Sequence, residues 1–199
     1  MKAFETEIPE GYVEKLHINA TDKKTGLIFN GIAFLVLIAV LAVVIPTSNG
    51  SLSNMISENV MFLALACVVI GGGLTVYMVL HELVHGLAYK LLTKQKLTFG
   101  MTWSCAFCGV PNVFVYRKTA LIALTAPLIT FTVVLLPALI FAGVYGSWLY
   151  IPLGIIFGMH LGGCSGDAYL TWLLLTRFRS GETLVRDTGP EQFIYQKEE

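Results

Sequence analysis

VMFLALACVVIGGGLTVYMVLHELVHGLAYKLL, residues 60–92, is the stretch on which the reading of this chain turns. From Val60 to Leu80 it carries no charge. That is enough helix to span a bilayer, which takes roughly 20 apolar residues. With no turn signal between, it runs into His81-Glu82-Leu83-Val84-His85-Gly86. A membrane helix with three ionisable residues in its second half needs a reason for them, because a charge at a helix centre costs roughly 2.5–3.5 kcal/mol.

Working outward, three further apolar stretches reach spanning length: residues 27–46, 119–144 (with Pro127 and Pro137 inside) and 148–176. Only 13% of the 199 residues are charged and 55% are hydrophobic, whereas soluble domains carry about 25% charge. The pattern predicts an all-α polytopic membrane protein of about four transmembrane helices. Residues 27–176 would form the membrane-embedded core, between an N-terminal tail (1–26) and a C-terminal tail (177–199). In the loop 93–118, KLTFGMTW and VFVYR alternate like strands around Gly109, Pro111 and Asn112, which predicts a short β-hairpin at the membrane surface. Tyr12–Ile18 reads as a further short strand.

All 13 Lys and Arg fall before the first span, between the second and third, or after the fourth. The loops at 48–59 and 145–147 have none. The positive-inside rule therefore puts both termini and the middle loop in the cytoplasm. A net charge of zero gives no field for nucleic acid, so the basic residues at the span ends are topology signals and lipid contacts. No short apolar segment with a cleavage site follows Met1, so no cleaved leader is expected. The cysteines, Cys67, Cys105, Cys108 and Cys164, do not form a disulfide framework. Cys105-Ala-Phe-Cys108 lacks a second pair or a nearby histidine, and reads as ordinary reduced thiols.

The ionisable residues inside the apolar spans are His81, Glu82, His85, His160 and Asp167. Residues four apart share a helix face, so His81 and His85 can hold one ion. This is the HExxH pattern, in which the intervening glutamate, here Glu82, is placed to take a proton from a zinc-activated water. A catalytic zinc needs a third protein ligand. Between Gly86 and Gly181 the only acid is Asp167 and the only histidine is His160. Counted back from Arg177 at 1.5 Å per residue, Asp167 lies about 15 Å and His160 about 25 Å from the cytoplasmic end. Counted from Lys90, His81 and His85 lie about 8–14 Å from theirs. Depth therefore favours Asp167 as the third ligand of one Zn2+ per chain. His160 shares a face with Cys164 and Asp167, and is left for substrate binding, oxyanion support or a place behind the ligands.

At these residues the chain resembles a known family. HELVHG with a later Gly-Asp on another span is similar to the site-2-protease type of intramembrane zinc peptidase. The order of Pro9-Glu10-Gly11-Tyr12, HELVHG, Ala126-Pro127-Leu128 and Gly166-Asp167 resembles a bacterial family of zincin peptidases over nearly the whole length. The resemblance implies zinc on His81, His85 and Asp167, and Glu82 activating water. It also implies hydrolysis of a membrane-protein or peptide substrate within the bacterial cytoplasmic membrane. The run around Asp167 departs from site-2 proteases, with His160 near the place of their asparagine, and no PDZ-like domain is present. Two other classes use the same residues: a metal transporter or sensor, and a non-catalytic metal-binding membrane protein.

Overall fold

The computed structural model describes residues 2–48, 60–102 and 105–198. The loop expected at 48–59 thus lies almost wholly outside the described residues, as does Trp103 at the end of the expected strand KLTFGMTW. In chain order come β1 (Phe4–Glu5), β2 (Tyr12–Asn19), α1 (Lys23–Val44) and α2 (Val60–Thr93). Then follow β3 (Thr98–Met101), β4 (Ala106–Gly109), β5 (Phe114–Tyr116) and α3 (Arg117–Val144). The chain ends with α4 (Tyr150–Gly163), α5 (Ser165–Thr176), β6 (Leu184–Asp187) and β7 (Glu191–Lys197). It divides into two compact units.

One unit holds residues 29–78 and 128–165 and is built of apolar helices. Its packing follows from a glycine stripe. Gly154, Gly158 and Gly162 recur every fourth residue on one face of α4, and α1 lies against them. A Cβ on Gly162 would stand 2.7 Å from the Ala33 backbone, and one on Gly154 would stand 2.7 Å from Val44 Cγ1. Small residues allow this close approach where lipid offers no hydrophobic drive for helix association.

The other unit holds residues 1–28, 79–127 and 166–199, and it corrects the expected all-α class. It contains a five-stranded antiparallel sheet in the order β1-β5-β6-β7-β2, and a separate two-stranded sheet of β3 and β4. The terminal segments expected to be tails supply four of the five strands of the larger sheet, β1, β2, β6 and β7. β2 pairs with β7 from Tyr12↔Lys197 to Asn19↔Glu191. Alternation puts Val115, Val185, Ile194 and Ile18 on one face, where they form a core with Tyr89, Ala120, Ala123, Leu124, Leu170, Leu173 and Leu174. Burying an aliphatic side chain of this kind is worth about 1.5–3 kcal/mol, so the helix segments that carry the functional residues are firmly seated.

Two further corrections follow. The hairpin forms between β3 and β4, with Thr98↔Gly109 and Met101↔Ala106 in register, while VFVYR supplies β5 to the larger sheet. Four spans were expected, but among the described residues three helices are long and apolar enough to cross a membrane: Lys23–Val44, Leu63–Thr93 and Arg117–Val144. The stretch expected as a fourth is interrupted at Cys164 into helices of 14 and 12 residues. The interruption falls in Gly162-Gly163-Cys164-Ser165-Gly166, whose residues hold a helix weakly.

Candidate metal centre

His81 and His85 lie one turn apart on α2, both buried at 7% exposure. Their Nε2 atoms are 3.2 Å apart. Asp167, in the first turn of α5, brings Oδ2 to 3.3 Å from His81 Nε2 and 3.2 Å from His85 Nε2. All three residues belong to the sheet-bearing unit.

The protonation pattern narrows what this triangle can hold. His85 Nδ1 lies 2.9 Å from the carbonyl oxygen of Ala123 on α3. A carbonyl only accepts, so Nδ1 carries the proton, and neutral His85 turns the lone pair of Nε2 towards His81 and Asp167. Hydrogen-bonding the far nitrogen of a ligand histidine in this way fixes both tautomer and ring orientation. A single proton can bridge only one of the three pairs, whereas one cation at the centre serves all three donors. Tetrahedral zinc with bonds of about 2.0–2.1 Å sets neighbouring donors about 3.3–3.4 Å apart. The separations of 3.2–3.3 Å fit that edge, and two imidazoles with one carboxylate are donors that zinc accepts.

Glu82 projects from the same helix and is half-buried. Cys108 on β4 is a near neighbour of its carboxylate. The last residue of the motif, Gly86, makes room for β3: a Cβ there would meet Phe99 Cζ at 2.6 Å and Leu97 Cδ1 at 3.2 Å. The small hairpin thereby lies against the helix that carries the histidines.

His160 belongs to the other unit and is fully buried. Its Nδ1 is 3.0 Å from Tyr77 Oη and its Nε2 is 3.0 Å from Thr132 Oγ1. Both nitrogens are thus engaged within the apolar helices, and Phe131 and Phe157 pack around the ring. Neither Cys105 nor Cys108 is in a disulfide. Burial first, and the carboxylates of Asp187 and Glu82 after it, push the Cys108 thiol up to about 12.

Sequence reasoning missed one buried polar pair near the site. Tyr89 donates from its hydroxyl to Asp187 Oδ2 at 2.7 Å, with both residues buried. Burial raises the Asp187 carboxyl to about 6. Tyr89 follows His85 by four residues and His81 by eight, so its helix face was legible. Asp187 lies in a segment read as a tail.

No curated protein and no solved structure matches the chain. The profile of a family described as "Putative zincin peptidase" matches residues 74–181, which takes in HELVHG, His160 and Asp167. The likeness to site-2 proteases rests on the sequence motifs alone. As the match extends over more than half of the sequence, the chain belongs to this zincin peptidase family.

Proposed function

We propose that this protein is an intramembrane zinc endopeptidase that hydrolyses a peptide bond in a membrane-embedded or membrane-proximal substrate. The observation that carries the reading is the convergence of His81 Nε2, His85 Nε2 and Asp167 Oδ2 within 3.3 Å of one another, with both histidines on a helix apolar enough to cross a membrane. One zinc per chain would be held by these three residues. When bound, zinc supplies a Lewis acid that polarises a carbonyl oxygen and makes a water acidic enough to attack near neutral pH.

The remaining work falls to the chain's own residues. Glu82 takes the proton of the attacking water on its carboxylate and returns it to the departing amide nitrogen. Ala123 holds the His85 ring in place through its carbonyl. The burial of both histidines keeps bulk water from the ligand atoms. Leu83 within the motif and Leu80 and Leu87 beside it are 49%, 43% and 59% exposed, which supports an apolar peptide segment as substrate. Strands from the N-terminal segment, the middle loop and the C-terminal segment share one sheet, which supports placing all three on one side of the membrane. The basic residues at 90–118 and 177–197 support the cytoplasm as that side.

The test is Glu82→Gln in proteoliposomes, read with quenched fluorogenic peptides that carry one hydrophobic segment. The variant should keep one zinc per chain and lose about 10²–10⁴ in kcat, the usual worth of a general base. Undiminished cleavage by Glu82→Gln refutes Glu82 as the base. A zinc-loaded wild type that cleaves none of the peptides favours a non-catalytic metal-binding protein.

A further inference from the structure

Asp187 closes β6 and is 3% exposed. It makes three contacts, each to a different piece of chain. Its Oδ2 accepts from Tyr89 on α2 at 2.7 Å, and its Oδ1 accepts from the Gly189 N–H at 2.9 Å. Its backbone carbonyl accepts from the Val110 N–H, directly after β4, at 2.8 Å. Two glycines let the backbones meet. A Cβ on Gly109 would lie 2.3 Å from Gly189 N and 2.5 Å from Thr188 C. Gly189 sits at φ +106°, and a Cβ there would lie 2.2 Å from Phe107 Cδ2. The tip of the β6–β7 hairpin is therefore pressed onto β4 from Phe107 to Val110, and its carboxylate is tied to the motif helix through Tyr89. Between Phe107 and Gly109 stands Cys108, which pairs with Phe99 of β3, and Phe99 lies against Gly86 of the motif.

We propose that Asp187 is a positioning residue of the metal centre: it joins the motif helix to β4, so that the β3–β4 hairpin stays seated on that helix and keeps the Glu82 carboxylate at the orientation proton transfer requires. The inference rests on the reading of Glu82 as the proton carrier. It places a determinant of activity at residue 187, beyond the segment that the family profile matches, which ends at 181. A carboxylate on an exposed helix face turns freely, and a catalytic group must be kept within about 0.5 Å of its working place by the residues behind it.

The experiment uses the full zinc-loaded chain in detergent, in a Cys67→Ser, Cys105→Ser background, with iodoacetamide as probe and Cys108 alkylation mapped by mass spectrometry. Asp187→Ala cuts both carboxylate contacts. Asp187→Asn can keep them, with its carbonyl accepting from Gly189 and its amide donating to the Tyr89 oxygen. Both variants remove the same charge from beside the thiol, so the difference between them reads the packing of β4. Asp187→Ala should speed Cys108 alkylation by about tenfold or more through local opening, and Asp187→Asn should stay within about twofold of the parent. With zinc per chain unchanged, kcat on the fluorogenic peptides should fall about 10–100-fold in Asp187→Ala at nearly constant KM, and recover in Asp187→Asn.

Equal protection of Cys108 in Asp187→Ala and the parent overturns the proposal, as does full kcat in an Asp187→Ala protein whose Cys108 has opened. If Asp187→Ala does not fold, Tyr89→Phe removes one hydroxyl and should still speed alkylation about threefold or more; no change there overturns the proposal equally. A parent protein that cleaves no peptide counts against the peptidase reading and against a role for Asp187 in activity. The alkylation rates then decide separately whether Asp187 holds β4.

Discussion

Replacing Gly109 by alanine puts a methyl group where the turn at 187–189 already runs. The new Cβ would stand 2.3 Å from Gly189 N, 2.5 Å from Thr188 C and 2.9 Å from Asp187 O. Unstrained heavy atoms keep about 3.5–4.0 Å apart. All three neighbours are backbone, so the turn must retreat by about 1 Å, which sacrifices the Val110 N–H to Asp187 O bond of 2.8 Å. Overpacking costs about 1–3 kcal/mol and the lost buried hydrogen bond about 1 kcal/mol, so Gly109→Ala should destabilise by about 2–4 kcal/mol. Gly86→Ala is the matched control. Its Cβ would stand 2.6 Å from Phe99 Cζ, but that atom is the tip of a ring on a residue 48% exposed and can swing aside. Alanine also gains about 1 kcal/mol over glycine inside a helix. Gly86→Ala should therefore remain within about 1 kcal/mol of the parent. Thermal unfolding in detergent, followed by tryptophan fluorescence, would show a Tm lowered by roughly 4–16 °C for Gly109→Ala and by at most about 4 °C for Gly86→Ala. A larger loss in Gly86→Ala, or none in Gly109→Ala, would refute the account of how the hairpin tip seats on β4.

His160→Ala removes the partner that Tyr77 and Thr132 share, 3.0 Å from each. It should cost about 2–5 kcal/mol from the cavity and the stranded hydroxyls, yet leave zinc per chain unchanged; zinc lost from a folded variant would make His160 a ligand. Asp187 titrates near 6 when folded and near 3.9 when unfolded. Between those values the folded chain keeps a proton that the unfolded chain has lost, so this group's contribution to stability falls as pH rises from about 4 to 6. In metal-free protein, denaturation midpoints should show Asp187→Asn gaining on the parent across that window; parallel curves would contradict the buried, raised carboxyl.

The cluster of His81, His85 and Asp167 was the most legible part of the chain. Its chemistry is carried by residue types that do not belong in apolar helices, and the i, i+4 spacing of His81 and His85 is local. Asp167, 82 residues after His85, was singled out by counting back from Arg177 along an expected fourth span; that span is broken at Cys164, but the counted part, Ser165–Thr176, is one helix. The sheet was far less so. β2 was visible as alternation over Tyr12–Ile18, but its partner β7 lies more than 170 residues away, and pairing at that range leaves no local trace. VFVYR was rightly a strand and wrongly partnered, because Ala106–Gly109 is only four residues long, too short to show an alternation of its own. The break at Cys164 hides in small residues that read as apolar in any average. The Tyr89–Asp187 bond joins a legible helix face to a segment whose fold was not legible.

Zinc per chain in purified, folded protein, wild type against Asp167→Ala, tests the central claim most directly. The account predicts about one zinc per wild-type chain and its loss or marked weakening in Asp167→Ala, because two histidines alone make a poor site for the metal. A folded wild type without zinc, or an Asp167→Ala variant that holds zinc as tightly as the parent, would contradict it.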